Sequence, residues 1–160
     1  MQRQNNNSQF VVIFTSNVTY MISLKYFGKQ QVTTRPVQNA LDLIFLSREG
    51  ISKKALLILA QNLSFSQKEI ADIVHLSERT LQRYPDEKRL NKEATATALQ
   101  LAALYQQGEE VFGELARFKG WMDYPNPVLS GKKPTELLDT PFGFQWINDE
   151  LIRIAHGVLA

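Results

Sequence analysis

The sequence predicts an all-α fold, and three observations carry that prediction. From residue 38 onward, apolar residues recur every three or four positions, which is the helical period. Serine, threonine, proline and glycine stand where helices begin and end. The segment 93–107 is rich in alanine and leucine, which favour helices. A chain of 160 residues also buries enough apolar surface to fold without a metal or a disulfide.

The composition and charge of the chain exclude several classes of protein. The chain has no cysteine, which excludes disulfide scaffolds, thiolate zinc sites and cysteine nucleophiles. Residues 1–92 carry 13 basic and seven acidic residues, whereas residues 93–160 carry five and nine. A basic front half indicates a polyanionic partner, although ordinary scatter explains so small an asymmetry equally well. No apolar run has the length of a signal peptide or a membrane span, so we expect a cytoplasmic protein with no membrane contact.

Residues 1–35 are predicted to form a poorly specified, flexible extension. Residues 1–9 are polar and of low complexity. The run from Phe10 to Phe14 is apolar and β-prone, so it is a candidate strand.

Residues 38–60 predict two core-forming helices. The first runs from Gln38 to Leu46 and ends before Gly50, and the second opens at Ser52 and runs through Ala60.

Residues 66–85 have the spacing of a helix-turn-helix. Ser66 and Glu69 match a capping box at the start of one short helix, and the pattern breaks at His75. Ser77 is a natural N-cap for a second short helix, which Pro85 stops. The spacing predicts that Ala71, Leu76 and Leu81 pack the two helices together.

The second helix of this motif is the candidate for reading DNA bases. In a major groove, arginine bridges guanine and glutamine bridges adenine. The predicted DNA-binding residues are Lys68, Ser77, Glu78, Arg79, Thr80, Gln82 and Arg83, with Lys88, Arg89 and Lys92 as further phosphate contacts. A plain helical hairpin with solvated charges fits the same pattern, and His75 stands where such turns often have glycine. Both interpretations remain open from the motif alone.

Two further helices are predicted between residues 93 and 118. The first covers 93–107 and ends at Gly108, and the second runs from Glu109 to Phe118. Small residues on the first helix allow close packing, either within the core or against a second copy.

Residues 121–160 predict a rigid loop followed by a helix. Prolines and glycine shape the loop, and Pro134 opens a short helix through Leu138. Thr140 caps a last helix that Gly157 closes. Its predicted buried face consists of Phe144, Ile147, Leu151, Ile154 and Ala155. No catalytic triad, phosphate-binding glycine loop or metal-ligand spacing is present in this stretch, so we expect no enzyme activity, no cofactor and no metal.

This C-terminal stretch resembles a known family. The resemblance rests on Trp121, the run 126–134, the run 136–140, Gly143 and the ending 154–158. Together these elements resemble the toxin-binding domain of Xre/MbcA/ParS-type antitoxins. Residues 68–83 resemble the Xre-like helix-turn-helix in front of that domain, and the likeness covers about residues 36–160.

The resemblance implies the antitoxin of a type II toxin–antitoxin system. Such a protein neutralises a RES-domain toxin, which consumes NAD or transfers ADP-ribose, by binding over its active site. It also implies a homodimer that represses its own operon by binding operator DNA. The implied organisation is an extension at 1–35, an Xre-like helix-turn-helix domain at 36–106 and a toxin-binding domain at 107–160. The alternative is a free-standing transcriptional regulator whose C-terminal domain dimerises or senses a ligand.

The resemblance also implies site residues. The residues expected to shape or contact the toxin-binding surface are Trp121, Asn126, Pro127, Leu129, Gly131, Pro134, Leu137, Leu138, Thr140, Gly143, Arg153, His156, Gly157, Val158, Leu159 and Ala160. The tail from Arg153 to Ala160 is expected to lie against the toxin and obstruct its substrate entrance. For single Pro, Gly and Leu residues, fixing the backbone is the competing role.

Overall fold

The computed structural model describes residues 10–15, 18–28, 32, 37 and 39–157. Over these residues the prediction of a helical protein is confirmed, since seven α-helices form the folded body. A two-stranded antiparallel hairpin precedes them, with Phe10 paired to Ser23 and Thr15 paired to Val18. The elements are β1 Phe10–Thr15, β2 Val18–Ser23, a 3-10 turn Leu24–Phe27, α1 Ala40–Glu49, α2 Lys53–Leu63, α3 Gln67–Ile73, α4 Glu78–Arg83, α5 Lys92–Phe112, α6 Leu115–Met122, 3-10 turns Pro127–Leu129 and Pro134–Leu137, and α7 Pro141–Ala155.

Most helix starts follow from local side-chain chemistry. Ser52, Ser77 and Thr140 each accept a hydrogen bond from the backbone N–H three residues later. Ser66 and Glu69 form the predicted capping box, with Glu69 accepting from the Ser66 N–H at 2.7 Å. These bonds satisfy N–H groups that have no partner within the helix. The predicted starts of α2, α3, α4 and α7 are therefore confirmed.

The N-terminal extension is only partly as predicted. The candidate strand at Phe10 to Phe14 is confirmed as β1. However, Tyr26, Phe27 and Val32 are buried in the core, so the prediction of a flexible extension over 1–35 is wrong for these three residues. Val37, just after the predicted extension, is also buried. Large apolar side chains of this kind fold onto a core that lies far away in sequence, which local patterns do not reveal. Residues 1–9 lie outside the described residues.

The helix pair predicted for residues 93–118 is wrong in its boundary. α5 does not end at Gly108; it continues to Phe112, and α6 begins only at Leu115. Gly108 lies inside α5, and it is a glycine there because the ring of Phe118 occupies the space that a side chain would need. A Cβ at residue 108 would lie 2.3 Å from a carbon of that ring. The glycine serves close packing between α5 and α6, and the helix ends at Gly113, where φ is 81°.

The buried face of the last helix matches the prediction except at Ala155. Ile147 and Leu151 are buried, and Phe144 and Ile154 are half-buried, but Ala155 is exposed. Position 155 is in the final turn of α7, where the helix runs past the core. The loop before α7, predicted to be non-helical, contains a 3-10 turn at Pro127–Leu129, which Asn126 caps.

A single core connects the front and back halves of the chain. α5 packs against α1, α2, α6 and α7, so it crosses the predicted domain boundary at 106/107 as one helix. Lys119 of α6 donates hydrogen bonds to the Asn62 carbonyl oxygen at 2.7 Å and to Ser64 Oγ at 2.9 Å. Its cation therefore sits at the C-terminal end of α2, where free carbonyls favour positive charge.

Candidate functional site

The turn between α3 and α4 is built from tight backbone hydrogen bonds. His75 takes a left-handed conformation with φ 57°, the conformation that a glycine would adopt more easily. The His75 N–H donates to the Asp72 carbonyl at 3.2 Å, and the Leu76 N–H donates to the Ala71 carbonyl at 2.9 Å. This pair of bonds is the Schellman arrangement that ends a helix and reverses the chain. Position 75 therefore performs the role of the glycine that the motif lacks.

α4 lies with one face in the core and the opposite face in solvent. Leu81 and Ala71 are fully buried, and Leu76 is half-buried against the core, so the predicted packing of the two helices is confirmed. Arg79, Gln82 and Arg83 are exposed. At helical spacing, these three side chains share the face opposite Leu81.

The predicted DNA-binding residues divide into capping residues and exposed cations. The Ser77 hydroxyl accepts from the Thr80 N–H at 3.0 Å and lies 2.7 Å from the Thr80 hydroxyl. The Gln82 amide donates to Glu78 Oε1 at 3.2 Å. By contrast, Arg79, Arg83 and Lys68 have no side-chain hydrogen bond or ion pair within the described part of the chain.

The loop after α4 is fixed to the start of α2. Lys53 is buried, donates from Nζ to the Tyr84 carbonyl at 2.7 Å and lies 3.5 Å from Asp86. The Leu90 N–H donates to the Ile51 carbonyl at 2.9 Å. These contacts hold α4 against the rest of the helical body.

The further phosphate contacts expected in this loop differ in their availability. The Arg89 guanidinium donates to the Gly50 carbonyl at 2.5 Å, so this side chain already has a structural role. Lys92 forms an ion pair with Glu93 at 3.4 Å. Lys88 is exposed and lies 5.8 Å from the centre of the Tyr84 ring.

The loop between α6 and α7 is closed by hydrogen bonds centred on Asn126. Its side chain accepts from the Val128 N–H, and its carbonyl accepts from the N–H groups of Leu129 and Gly131. The Asn126 N–H donates to the Lys132 carbonyl at 2.9 Å. Asn126 therefore shapes this loop from within.

Several other predicted toxin-binding residues are also structural. Pro134, Leu138 and Gly143 are buried. A Cβ at residue 143 would lie 1.8 Å from the Leu137 carbonyl oxygen, so α7 meets the preceding turn at a distance that only glycine permits. Thr140 is exposed, but its hydroxyl caps α7 at Gly143.

Aromatic rings of α5 and α6 pack together just before this loop in the chain. The rings of Trp121 and Phe118 stack with centroids 5.9 Å apart, and Trp121 also lies 5.8 Å from Phe112. Trp121, Leu129 and Leu137 are half-buried. These residues combine a core contact with some accessible surface.

The exposed part of the C-terminal region contains both predicted and unpredicted residues. Pro127, Gly131, Arg153, His156 and Gly157 are exposed, and Arg153 pairs with Glu150. Val158, Leu159 and Ala160 lie outside the described residues. Tyr124, Val128 and Phe142, which are not among the predicted toxin-binding residues, are 71%, 70% and 82% exposed. Their signal in the sequence is that each is a large apolar residue next to a proline.

Neither a metal centre nor a membrane span is found where the structure can be described. No group of three or more histidine, aspartate or glutamate side chains is placed to hold a metal ion within the described ranges. No helix among the described residues is long and apolar enough to cross a bilayer.

The structure therefore defines a helical protein with a helix-turn-helix in its N-terminal part and further helices in its C-terminal part. Residues 42–103 match the antitoxin Xre-like helix-turn-helix domain, and residues 107–157 match the antitoxin Xre/MbcA/ParS C-terminal toxin-binding domain. The chain therefore belongs to the Xre/MbcA/ParS antitoxins, and it is the antitoxin of a toxin–antitoxin system.

The chain is also similar to a solved structure. A chain in the crystal structure of the M. tuberculosis MbcT–MbcA toxin–antitoxin complex shares 25% sequence identity, with a TM-score of 0.48. The likeness covers 68% of this chain and 96% of that chain. No curated protein sequence matches this chain.

Proposed function

We propose that this antitoxin neutralises a RES-domain toxin, one that consumes NAD or transfers ADP-ribose, by binding over the toxin's active site. The toxin-binding domain matched at residues 107–157 is the observation that carries the proposal. Residues 121–160 hold five acidic and three basic residues, which suits a basic entrance on an enzyme that handles a dinucleotide.

The proposed toxin-contacting surface consists of exposed apolar residues and the C-terminal tail. Tyr124 follows α6, Val128 lies in the loop and Phe142 lies in the first turn of α7. Aromatic side chains are enriched among residues that dominate binding energy. The tail from Arg153 to Ala160 provides the part that blocks the substrate entrance. Buried Pro134, Leu138 and Gly143 act indirectly by shaping the domain.

Co-expression with the product of the adjacent gene tests toxin neutralisation. The unmodified chain should rescue growth and co-purify with the toxin. Phe142→Ala should weaken the complex at least tenfold, whereas Phe45→Ala, at an exposed aromatic in the front domain, should leave it unchanged. Absence of toxicity, or no complex with the unmodified chain, would refute the proposal that this antitoxin neutralises a RES-domain toxin encoded by the adjacent gene.

A truncation separates the role of the tail from that of folding. Ending the chain after Ala155 removes only residues beyond α7 and keeps the buried Leu151. The truncated protein should retain its helical circular dichroism and its DNA binding but lose neutralisation. Full growth rescue by this variant would show that the tail does not block the toxin.

We further propose that the protein acts in the cytoplasm as a homodimer and represses its own operon through α4. The exposed Arg79 and Arg83 on the face opposite Leu81 support DNA binding. In a two-fold dimer, the two α4 helices would read half-sites one helical turn apart, or a multiple of it.

Arg79→Ala tests base reading directly. Titration of operator DNA should show a loss of about 1 to 3 kcal/mol, with a smaller loss on random DNA. Arg117→Ala is the matched control, because Arg117 is exposed on α6 and pairs with Glu114. An equal loss on both DNAs would make Arg79 a phosphate contact, and no loss on either would refute the role of α4.

A further inference from the structure

The start of α4 holds several of its polar side chains in fixed pairs. The Gln82 side-chain amide donates to Glu78 Oε1, from a position four residues further along the helix. The hydroxyl groups of Ser77 and Thr80 lie 2.7 Å apart, and that of Ser77 also caps the helix. Glu78 is partly exposed, and its second oxygen, Oε2, accepts no hydrogen bond from the described part of the chain. Glu78 and Arg79 therefore keep groups available for another molecule.

Glu78 differs in chemistry from the arginines on the same helix. A carboxylate only accepts hydrogen bonds, so phosphate oxygens and the major-groove acceptors of guanine repel it. Adenine presents an amino donor beside the N7 acceptor, whereas cytosine presents the N4 amino donor alone. Cytosine is therefore the base whose major-groove edge best fits Glu78.

We propose that Glu78 accepts a hydrogen bond from the N4 amino group of a cytosine in the operator, and that Gln82 is its positioning residue. The Gln82 amide occupies Oε1 and restricts the carboxylate, which leaves Oε2 for the base. The inference rests on the proposed reading of DNA by α4, in which the first residues of the second helix contact base edges.

This assignment changes the role expected for Gln82. A glutamine that bridges adenine must turn both ends of its amide toward the base. In this structure the Gln82 nitrogen is instead turned toward Glu78. Gln82 therefore acts on base choice through Glu78.

The negative charge of Glu78 also contributes to specificity by weakening unwanted contacts. Arg79 and Arg83 are exposed and attract the phosphate backbone of any sequence. Glu78 reduces this attraction on every DNA and returns binding energy only where a cytosine faces it. Specificity is a difference of affinities, so a residue that lowers affinity for the wrong sites raises it.

Selection of binding sites from a random duplex pool tests the cytosine contact. The unmodified protein should select a cytosine at one fixed position of each half-site. In Glu78→Gln, the preference for that cytosine over other bases should fall about tenfold, while affinity for random DNA rises. Glu87→Gln is the matched control, because it removes an exposed carboxylate outside α4 and should leave the preference unchanged.

Variants at residue 82 test the positioning role separately. Gln82→Ala should lower the preference for cytosine several-fold, with little change in the thermal unfolding midpoint because the side chain is exposed. Gln82→Lys can still donate to Glu78 at the same spacing, so it should restore the preference. A purely structural role of Gln82 would leave base preference unchanged in both variants and would contradict the positioning role.

The outcomes separate this inference from the proposed function. Selected sites without a fixed cytosine, or the same cytosine preference in Glu78→Gln, would overturn the inference and leave DNA reading by α4 intact. If the unmodified protein selects no sequence at all, DNA reading itself fails, and the contact at Glu78 fails with it.

Discussion

At the scale of single residues, close contacts explain why glycine stands at two positions of the C-terminal half. Gly108 lets the ring of Phe118 pack against α5, and Gly143 lets the start of α7 touch the Leu137 carbonyl. In both places the space that a Cβ needs is occupied. The family-like glycine at 143 is therefore explained by packing inside the domain, without requiring contact with a toxin.

Gly143→Ala and Gly120→Ala should have opposite effects on the free energy of unfolding. Gly143→Ala should lower the free energy of unfolding by about 2 kcal/mol or more, because the obstructing atom is backbone and the chain must shift. Gly120→Ala should raise it by up to about 1 kcal/mol, since α6 has open space there and alanine favours helices. Urea denaturation of both variants measures the difference. Equal stability of the two variants would contradict the proposed packing at residue 143.

His75 offers a test of backbone strain at the turn of the helix-turn-helix. A non-glycine residue with φ 57° is strained, so His75→Gly should raise the free energy of unfolding by about 0.5 to 1 kcal/mol. His156→Gly is the control, because residue 156 is also exposed but has φ −88° and should gain nothing. Thermal unfolding of both variants compares them. Destabilisation by His75→Gly would mean that the histidine side chain contributes more than the strain costs.

At the scale of elements, the 3-10 turn at residues 24–27 is attached to α5 through Glu109. Both Lys25 and Tyr26 donate to the Glu109 carboxylate. Burial raises the pKa of Tyr26, and the hydrogen bond to Glu109 raises it further. For Glu109, burial would raise the pKa, but the hydrogen bonds from Lys25 and Tyr26 outweigh it and hold the pKa below its ordinary value of 4.5. The carboxylate form is thus favoured in the folded protein.

Glu109→Gln should change how stability depends on pH. A lowered pKa in the folded state adds stability above pH 4.5, and that stability is lost as the pH falls through the folded-state pKa. The unmodified protein should therefore lose stability more steeply than Glu109→Gln between about pH 5 and pH 3. Near neutral pH the variant should be less stable by about 1 kcal/mol. Glu87→Gln, at an exposed carboxylate after α4, should follow the unmodified curve.

Comparison of predicted and observed elements shows which forces are local. Caps at Ser52, Ser66, Ser77 and Thr140 were predictable because a capping bond joins residues three apart. Another capping box, between Asn39 and Asp42, was present in the sequence but was not recognised. The continuation of α5 through Gly108 depends on packing against Phe118 of the next helix, and the burial of Phe27 depends on tertiary contacts. The spacing of apolar residues therefore could not predict either.

In the candidate site, too, the features set by local sequence were predictable and those set by tertiary packing were not. The outward face of α4 follows from the helical period, and so Arg79, Gln82 and Arg83 were correctly placed in solvent. A list of motif residues cannot separate those that shape a loop from those that face a partner. Asn126 serves the loop through its hydrogen bonds, whereas Phe142 is exposed and was not selected.

At the scale of the whole molecule, α5 and Lys119 should make the two regions unfold together. Leu81 is buried in the helix-turn-helix, so Leu81→Ala should cost about 2 to 5 kcal/mol. Both tryptophans, Trp121 and Trp146, lie in the C-terminal region. If the core is one unit, Leu81→Ala should shift the urea midpoint seen by tryptophan fluorescence as far as the midpoint seen by circular dichroism. A fluorescence midpoint that stays in place would show that the toxin-binding domain keeps its fold when the helix-turn-helix domain unfolds, and that α5 does not couple them.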